Sequence, residues 1–391
     1  MRHPFNRPLV SAALLIAVVA AVAGVAAAAG TTRGPSSATD PYVLPVADRV
    51  EITSIVTVGD SGAAANGYEL VGIPDGMGLR PDRGRDFTLF LNHELRDTQG
   101  VVRAHGQKGA FVSTWQIDSR TLKAEAGSDL IKAGGVTYWD YVTSTWRATP
   151  STGGPNPRFA GDVFPAQIAP FSRFCSASLT ADGQLYNQRT RRGYDGRIFF
   201  GNEEAGNEGR TFGITEDGVA RQLPRLGLFS WENTLAADTR DDTTLVMGQE
   251  DAADGQLWVY VGTKTKKGTP FDKAGLTNGV SFVVDLTDEA VSADAGFRTT
   301  LGKGNAAEFD LAEVPWDLSG NAQNALARTV GLTLNGSRTA RGIRATATTS
   351  TSSRPRVVRA PTYRRGSRAA TAAGSGAFAS RTSSGPRSAA R

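Results

Sequence analysis

Cysteine is nearly absent: the chain has 391 residues and one cysteine, Cys175. A disulfide scaffold is therefore excluded, and so is a zinc site of several thiolates. Histidine is almost as scarce, with His3, His93 and His105 alone. Three histidines, one of them in an N-terminal leader-like stretch, leave no room for H-E-x-x-H or a two-histidine facial triad. No G-x-S-x-G elbow, P-loop or G-x-G-x-x-G is present, which removes the common hydrolase, nucleotide and dinucleotide readings. Acidic residues stop at Asp317. From Arg338 onward there are 12 arginines and no lysine, so the net charge of +5 belongs to a tail and the preceding body is net acidic. After the N-terminal leader no further apolar run is long enough to span a bilayer.

What is present begins with a basic start, Arg2-His3-Pro4-Phe5-Asn6-Arg7, then an apolar, alanine-rich run from Leu9 to Ala29 with an A-x-A ending. That pattern predicts a signal peptide over 1–29, the alternative being an uncleaved anchor, and so a secreted or periplasmic protein free of the membrane after cleavage. Residues 30–45 are expected to be a linker. From 46 to 334 short β-type segments recur between Asp, Gly and Asn turns, among them 51–58, 86–91, 111–118, 196–200, 243–247, 257–261 and 280–285. Helical periodicity is scarce. The expected fold class is all-β: a barrel, sandwich or propeller, with the propeller favoured because long insertions such as 148–170 can ride on loops at one face. Residues 335–391 turn abruptly to Arg, Ser, Ala, Thr and Gly, which predicts a disordered tail. A nucleic-acid partner is not expected, since the tail has little aromatic interleaving. Codons for 338–346 can be chosen that spell an E-D-G segment in the neighbouring frame. A frameshift near Asn335 that truncated the β-domain is therefore a further expectation.

The candidate chemistry lies at strand ends. Asn92-His93-Glu94 follows one strand, Gly201-Asn202-Glu203-Glu204 another and Gly248-Gln249-Glu250-Asp251 a third; Ser230-Trp231-Glu232-Asn233 follows Gly227-Leu228-Phe229. Taken singly, each acidic pair reads as a solvated turn, His93 as a core or capping residue, and Cys175 as a small buried hydrophobe. Four strand ends of one kind would gather oxygen ligands at a barrel or propeller mouth, a donor set for hard cations. Metal-assisted hydrolysis is then the most economical enzyme reading. A non-enzymatic calcium-binding module remains open, as does an inactive truncated product.

Together these segments resemble the PhoX family of secreted bacterial alkaline phosphatases, over roughly 50–262 and more loosely to 286. Asn92-His93-Glu94 is similar to the family's N-H-E. Cys175 with the later Glu203-Glu204 resembles its cysteine and E-E pair, 227–232 its G-x-F-x-H-E with Trp231 in the histidine place, and 246–258 its T-E-D strand and the aromatic strand after it. The resemblance implies a β-propeller that uses iron and calcium to hydrolyse small phosphate esters. It implies Cys175, Glu203 and Glu232 as catalytic groups, with Glu94, Cys175, Glu203, Glu204, Glu232, Glu250 and Asp251 as metal ligands. Three departures accompany it. The spacing from Cys175 to Glu203 is longer than in PhoX proper, the later E-D-G ligand segment is missing in frame, and no twin-arginine pair precedes the apolar run.

Overall fold

The computed structural model describes residues 30–60, 62–302, 305–336 and 357–358. The expected signal peptide lies outside them, as does the tail beyond Gly336 apart from Val357–Val358. The protein is all-β, built around three sheets, antiparallel except where Ala220–Gln222 meets Val136–Asp140 in the second and at the edge of the third. The first runs Pro74–Pro81, Asp86–His93, Phe111–Asp118 and Ala124–Asp129. In the second, Phe174–Leu179, Ile198–Glu203, Thr211–Thr215 and Ala220–Gln222 continue into Val136–Asp140 and Thr145–Arg147. The third orders Trp231–Ala236, Thr243–Glu250, Leu257–Thr263, Val280–Leu286 and Phe309–Val314, with Val357–Val358 paired in parallel at its edge.

The first strand of each sheet packs beside the first strand of the next, so the sheets fan like propeller blades around their leading strands. Glycine makes the closest approach possible. A Cβ on Gly76 would lie 2.2 Å from the Ala177 amide nitrogen, and one on Gly78 would lie 2.4 Å from Leu179 Cβ. Side chains there would hold the first two blades apart. Between the second and third blades the Ser178 hydroxyl donates to the Thr234 carbonyl.

Burial explains why some strands were easy to read and others less so. Ile198–Glu203 is buried at every position, because its sheet is sandwiched between two others. Phe199 turns toward Phe90 of the first sheet, with ring centroids 5.9 Å apart, while Ile198 and Phe200 join Trp231, Val246 and Trp258 on the opposite face. Each such side chain contributes about 1.5–3 kcal/mol on burial. An unbroken apolar run is what a strand covered on both faces requires. The same run made Gly201-Asn202-Glu203 look like a cap, whereas the strand extends through Glu203; likewise the strand from Thr243 extends through Glu250. The expected strand over 227–229 is instead a loop after a 3-10 turn, and Trp231 and Glu232 open a strand. Gly30–Arg33, at the head of the expected linker, pairs in parallel with Glu51–Ser54.

The longest helix among the described residues, Gly320–Val330, begins at Ser319, whose hydroxyl accepts the Ala322 amide. Its buried Gln323 and Asn324 hold the loop before Trp231: Leu228 N–H donates to Gln323 Oε1 at 3.0 Å, and Asn324 Nδ2 donates to the Leu228 carbonyl at 2.8 Å. Among the described residues no helix is long and apolar enough to cross a membrane.

Candidate metal centre

One local pattern occurs at the same end of all three blades. The last residue of the second strand pairs with the first residue of the leading strand: His93 with Pro74, Glu203 with Phe174, Glu250 with Trp231. A register irregularity follows each pair. One residue further on, the amides of Glu94, Glu204 and Asp251 donate to the carbonyls of Ile73, Arg173 and Ser230 at 2.8, 3.0 and 3.0 Å. Each blade thus offers two groups at equivalent places: Asp75 and Glu94, Cys175 and Glu204, Glu232 and Asp251.

Buried amides lock this register. Asn92 Nδ2 donates to the Cys175 carbonyl at 2.7 Å, and Asn202 Nδ2 to the Ser176 carbonyl at 2.9 Å. Asn202 Oδ1 accepts the hydroxyls of Thr211 and Thr234 at 2.9 and 2.6 Å, which ties the second blade to the third. The asparagine two residues before each glutamate therefore fixes the strand end that presents the carboxylate.

The outcome is a cluster of acids around the thiol. Donor atoms of Asp75, Glu94 and Cys175 lie within 4.8 Å of one another, as do those of Cys175, Glu204 and Glu232. Cys175 Sγ–H points at Glu232 Oε2, 3.3 Å away. Burial pushes the Cys175 thiol far up, and the charges of Asp75, Glu232 and Glu204 push it further. Glu204 and Glu232 are raised by burial too and then by their acidic neighbours, Asp251 acting on both, while the Cys175 contact works against the shift. Asp75 is raised by burial and by Glu94. Arg173 is the cation in contact with this ring: its Nη2 lies 2.8 Å from Glu94 Oε1 and 2.9 Å from Glu204 Oε2.

Such a set fits a metal ion by its chemistry. Crowded, half-buried carboxylates repel one another until a cation neutralises them, and a thiol held protonated among acids ionises when a metal takes the sulfur. Carboxylate oxygens suit calcium, and a thiolate suits iron.

The structure separates the expected ligands into two groups. Glu94, Cys175, Glu204 and Glu232 come together, and Asp251 faces Glu204 and Glu232 electrostatically. Glu203 is not with them. Strand alternation turns it to the other face, where Arg210 Nε and Nη2 hold its two oxygens at 2.6 and 2.7 Å, and the Ser172 and Arg210 amides complete its shell. Glu250 is turned inward likewise, accepting from Trp258 Nε1 and the Gln256 amide, both at 3.1 Å. In this arrangement both carboxylates take protein donors away from the rim, where the resemblance implied metal ligands. His93 occupies the third equivalent place. Its Nδ1 faces the Val71 carbonyl at 2.6 Å and therefore donates, while Nε2 accepts the Ser113 hydroxyl at 2.7 Å.

Asp75 and Arg173 were given no role by the sequence. Pro74-Asp75-Gly76 reads as a turn, and the signal that would have found Asp75 is the alternating glycine of Gly76 and Gly78, which marks a strand pressed against another backbone. A cleft of about 260 Å³ opens on the Glu203–Arg210 side, lined also by Asp97, Ile168, Ser172 and Glu208, and none of the rim acids lines it.

Fold and site together define an all-β, blade-built protein with a thiol and carboxylate centre at one rim. Among solved structures, the chain is similar to Pseudomonas fluorescens PhoX in complex with vanadate, a transition state analogue. The likeness has 12% identity and a TM-score of 0.30, covering 57% of this chain and 47% of that one. The chain thus spans about half the length of that protein, and the likeness is a distant one. No family model matches, and neither does any curated protein.

Proposed function

We propose that the chain is an exported, metal-dependent hydrolase of small phosphate esters, with its centre at the rim formed by Asp75, Glu94, Cys175, Glu204, Glu232 and Asp251. The observation that carries this reading is the convergence of four carboxylates from three blades on one thiol, with an arginine in contact. A solvated surface cluster would not place a buried cysteine among four carboxylates, and a structural ion-pair network would supply them with matching cations.

In this reading Cys175, Glu204 and Glu232 would hold iron with Asp251 beside them, while Asp75 and Glu94 would hold calcium. Bound there, the ions would supply Lewis acidity to the phosphoryl oxygens and stabilise the leaving oxyanion. The chain's own residues perform the remaining tasks. Asn92 and Asn202 fix the strand ends that carry the ligands, and Phe174 and Trp231, both fully buried, back the rim with apolar surface. The Arg210–Glu203 pair braces the strand end from beneath.

The test combines elemental analysis with turnover of a chromogenic phosphomonoester by the full chain supplied with iron and calcium. Cys175→Ser is expected to lose bound iron and to reduce turnover at least about 100-fold, the scale of a lost metal-borne electrostatic contribution. Undiminished turnover in that variant would overturn the reading. Calcium binding alone, with no iron and no turnover, would favour a calcium-stabilised structural module, which has no use for Cys175 as a ligand.

A further inference from the structure

Three residues occupy equivalent places just before the leading strands, where each carbonyl accepts the amide of a rim acid: Ile73, Arg173 and Ser230. An aliphatic side chain and a hydroxymethyl serve two of the three, so the fold itself does not call for an arginine there. Arg173 also differs in its backbone. Its φ is +50°, in the left-handed region that disfavours a Cβ, and neither Ile73 nor Ser230 shares it. Backbone strain of this kind is maintained by surrounding contacts. Here the Arg173 amide donates to the Leu95 carbonyl at 2.8 Å, and its carbonyl accepts from Glu204. The strained turn aims the guanidinium across the rim, where Nε and Nη2 reach Glu94 Oε1 at 3.0 and 2.8 Å and Nη2 also reaches Glu204 Oε2 at 2.9 Å. Those two carboxylates belong to different ligand groups, one on each side of Cys175. The side chain is 37% exposed, well above the 14% and 12% of its two partners, so it borders both the acids and solvent.

A cation that takes Glu94 and Glu204 competes with the guanidinium for the same carboxylates. Once released, the guanidinium stands beside the centre with a planar fork of donors that matches two oxygens of a tetrahedral anion. Without cations an incoming phosphate would instead meet a ring of carboxylates. We propose that Arg173 is the anion-binding arm of this centre, paired with Glu94 and Glu204 in the cation-free protein and freed by cation loading to hold the phosphoryl group. This deepens the phosphate-ester reading and rests on it.

Calorimetric titration of the full chain supplied with iron tests the proposal, first with calcium and then with inorganic phosphate, for wild type, Arg173→Gln and Arg173→Lys. Phosphate is expected to bind the calcium-loaded wild type and not the chelator-stripped protein. Arg173→Gln is expected to bind calcium more tightly, because the competitor is gone. Its loaded form should bind phosphate about tenfold or more weakly, the scale of one charge-assisted hydrogen-bonded contact. Arg173→Lys, which keeps the charge and loses the fork, should recover part of the phosphate affinity. Equal phosphate affinity in wild type and Arg173→Gln would overturn the role, as would weaker calcium binding in Arg173→Gln, the mark of a purely structural residue. Should the glutamine variant fail to fold, Arg173→Lys carries the comparison: phosphate affinity equal to wild type then overturns the forked contact. If the loaded wild type binds no phosphate, the phosphatase reading falls and this one with it. If it binds phosphate and the variants bind equally well, only the assignment of Arg173 fails.

Discussion

Glu203 and Glu204 are neighbours in sequence and opposites in circumstance. Glu203 belongs to an inner layer with His93 and Glu250, which take protein partners: Arg210 for Glu203, Val71 and Ser113 for His93, and Trp258 and Gln256 for Glu250, whose Oε1 is left without a hydrogen bond. Glu204 belongs to the rim, where acids face acids and a thiol, with Arg173 as their contacting cation. One residue of strand alternation separates the two. A satisfied buried charge holds the fold in register, whereas an unsatisfied group of charges costs stability until something binds it.

The comparison breaks most sharply at Arg210. Replacing it by methionine strands the buried Glu203 carboxylate, and Arg210→Met is expected to cost about 3–5 kcal/mol in chemical denaturation, the scale for breaking one side of a buried pair. A loss under 1 kcal/mol would show that the inner layer is not a brace.

At the rim the expected sign is reversed. With cations chelated, Glu204→Gln combined with Glu232→Gln should raise the thermal midpoint by roughly 2–4 °C, the shift that about 1 kcal/mol produces in a domain of this size. The same variant should lose any stabilisation by added calcium. The pH dependence follows from the raised carboxyls. In the folded protein Glu204 and Glu232 keep their protons to higher pH than the unfolded chain does, so their contribution is present below the ordinary value of 4.5 and is lost as pH rises through the folded values. Cation-free wild type should therefore lose stability relative to the double variant as pH climbs above about 4.5. A parallel pair of pH profiles would refute the crowding argument.

His93 titrates in the opposite direction. Burial drives His93 from 6.5 down to about 4, so the folded protein resists the proton that the unfolded chain accepts. Stability should fall as pH drops from 6.5 toward 4, and His93→Gln should flatten that part of the profile in equilibrium denaturation. An unchanged slope would place the acid sensitivity elsewhere.

The strands were the most legible part of the chain. Phe111–Asp118 falls where the β-type residues predict it, because its sheet-face alternation is local information. Strand ends were less legible. In 198–203 and 243–250 the polar residues that close each strand resemble caps, and only pairing with Phe174 and Trp231 shows that the strand continues. Of the candidate site, Cys175 stands out as the lone cysteine and Glu94, Glu204 and Glu232 as acids near strand ends. Asp75 could not, since Pro74-Asp75-Gly76 has the chemistry of a turn and becomes part of a strand only by pairing with Asp86–His93.

The sequence by itself determined the all-β class, the acidic body, and the recurrence of carboxylates at strand ends, because composition and period-2 patterning are written residue by residue. Which acid of each pair meets the thiol was decided only by tertiary structure. A strand sends successive side chains to opposite faces, and the registers at Pro74, Phe174 and Trp231 turn Glu203 and Glu250 inward while Glu204 and Asp251 face the rim. The position of Arg173 was likewise decided there, since its reach to both Glu94 and Glu204 depends on a left-handed turn and on two blades meeting.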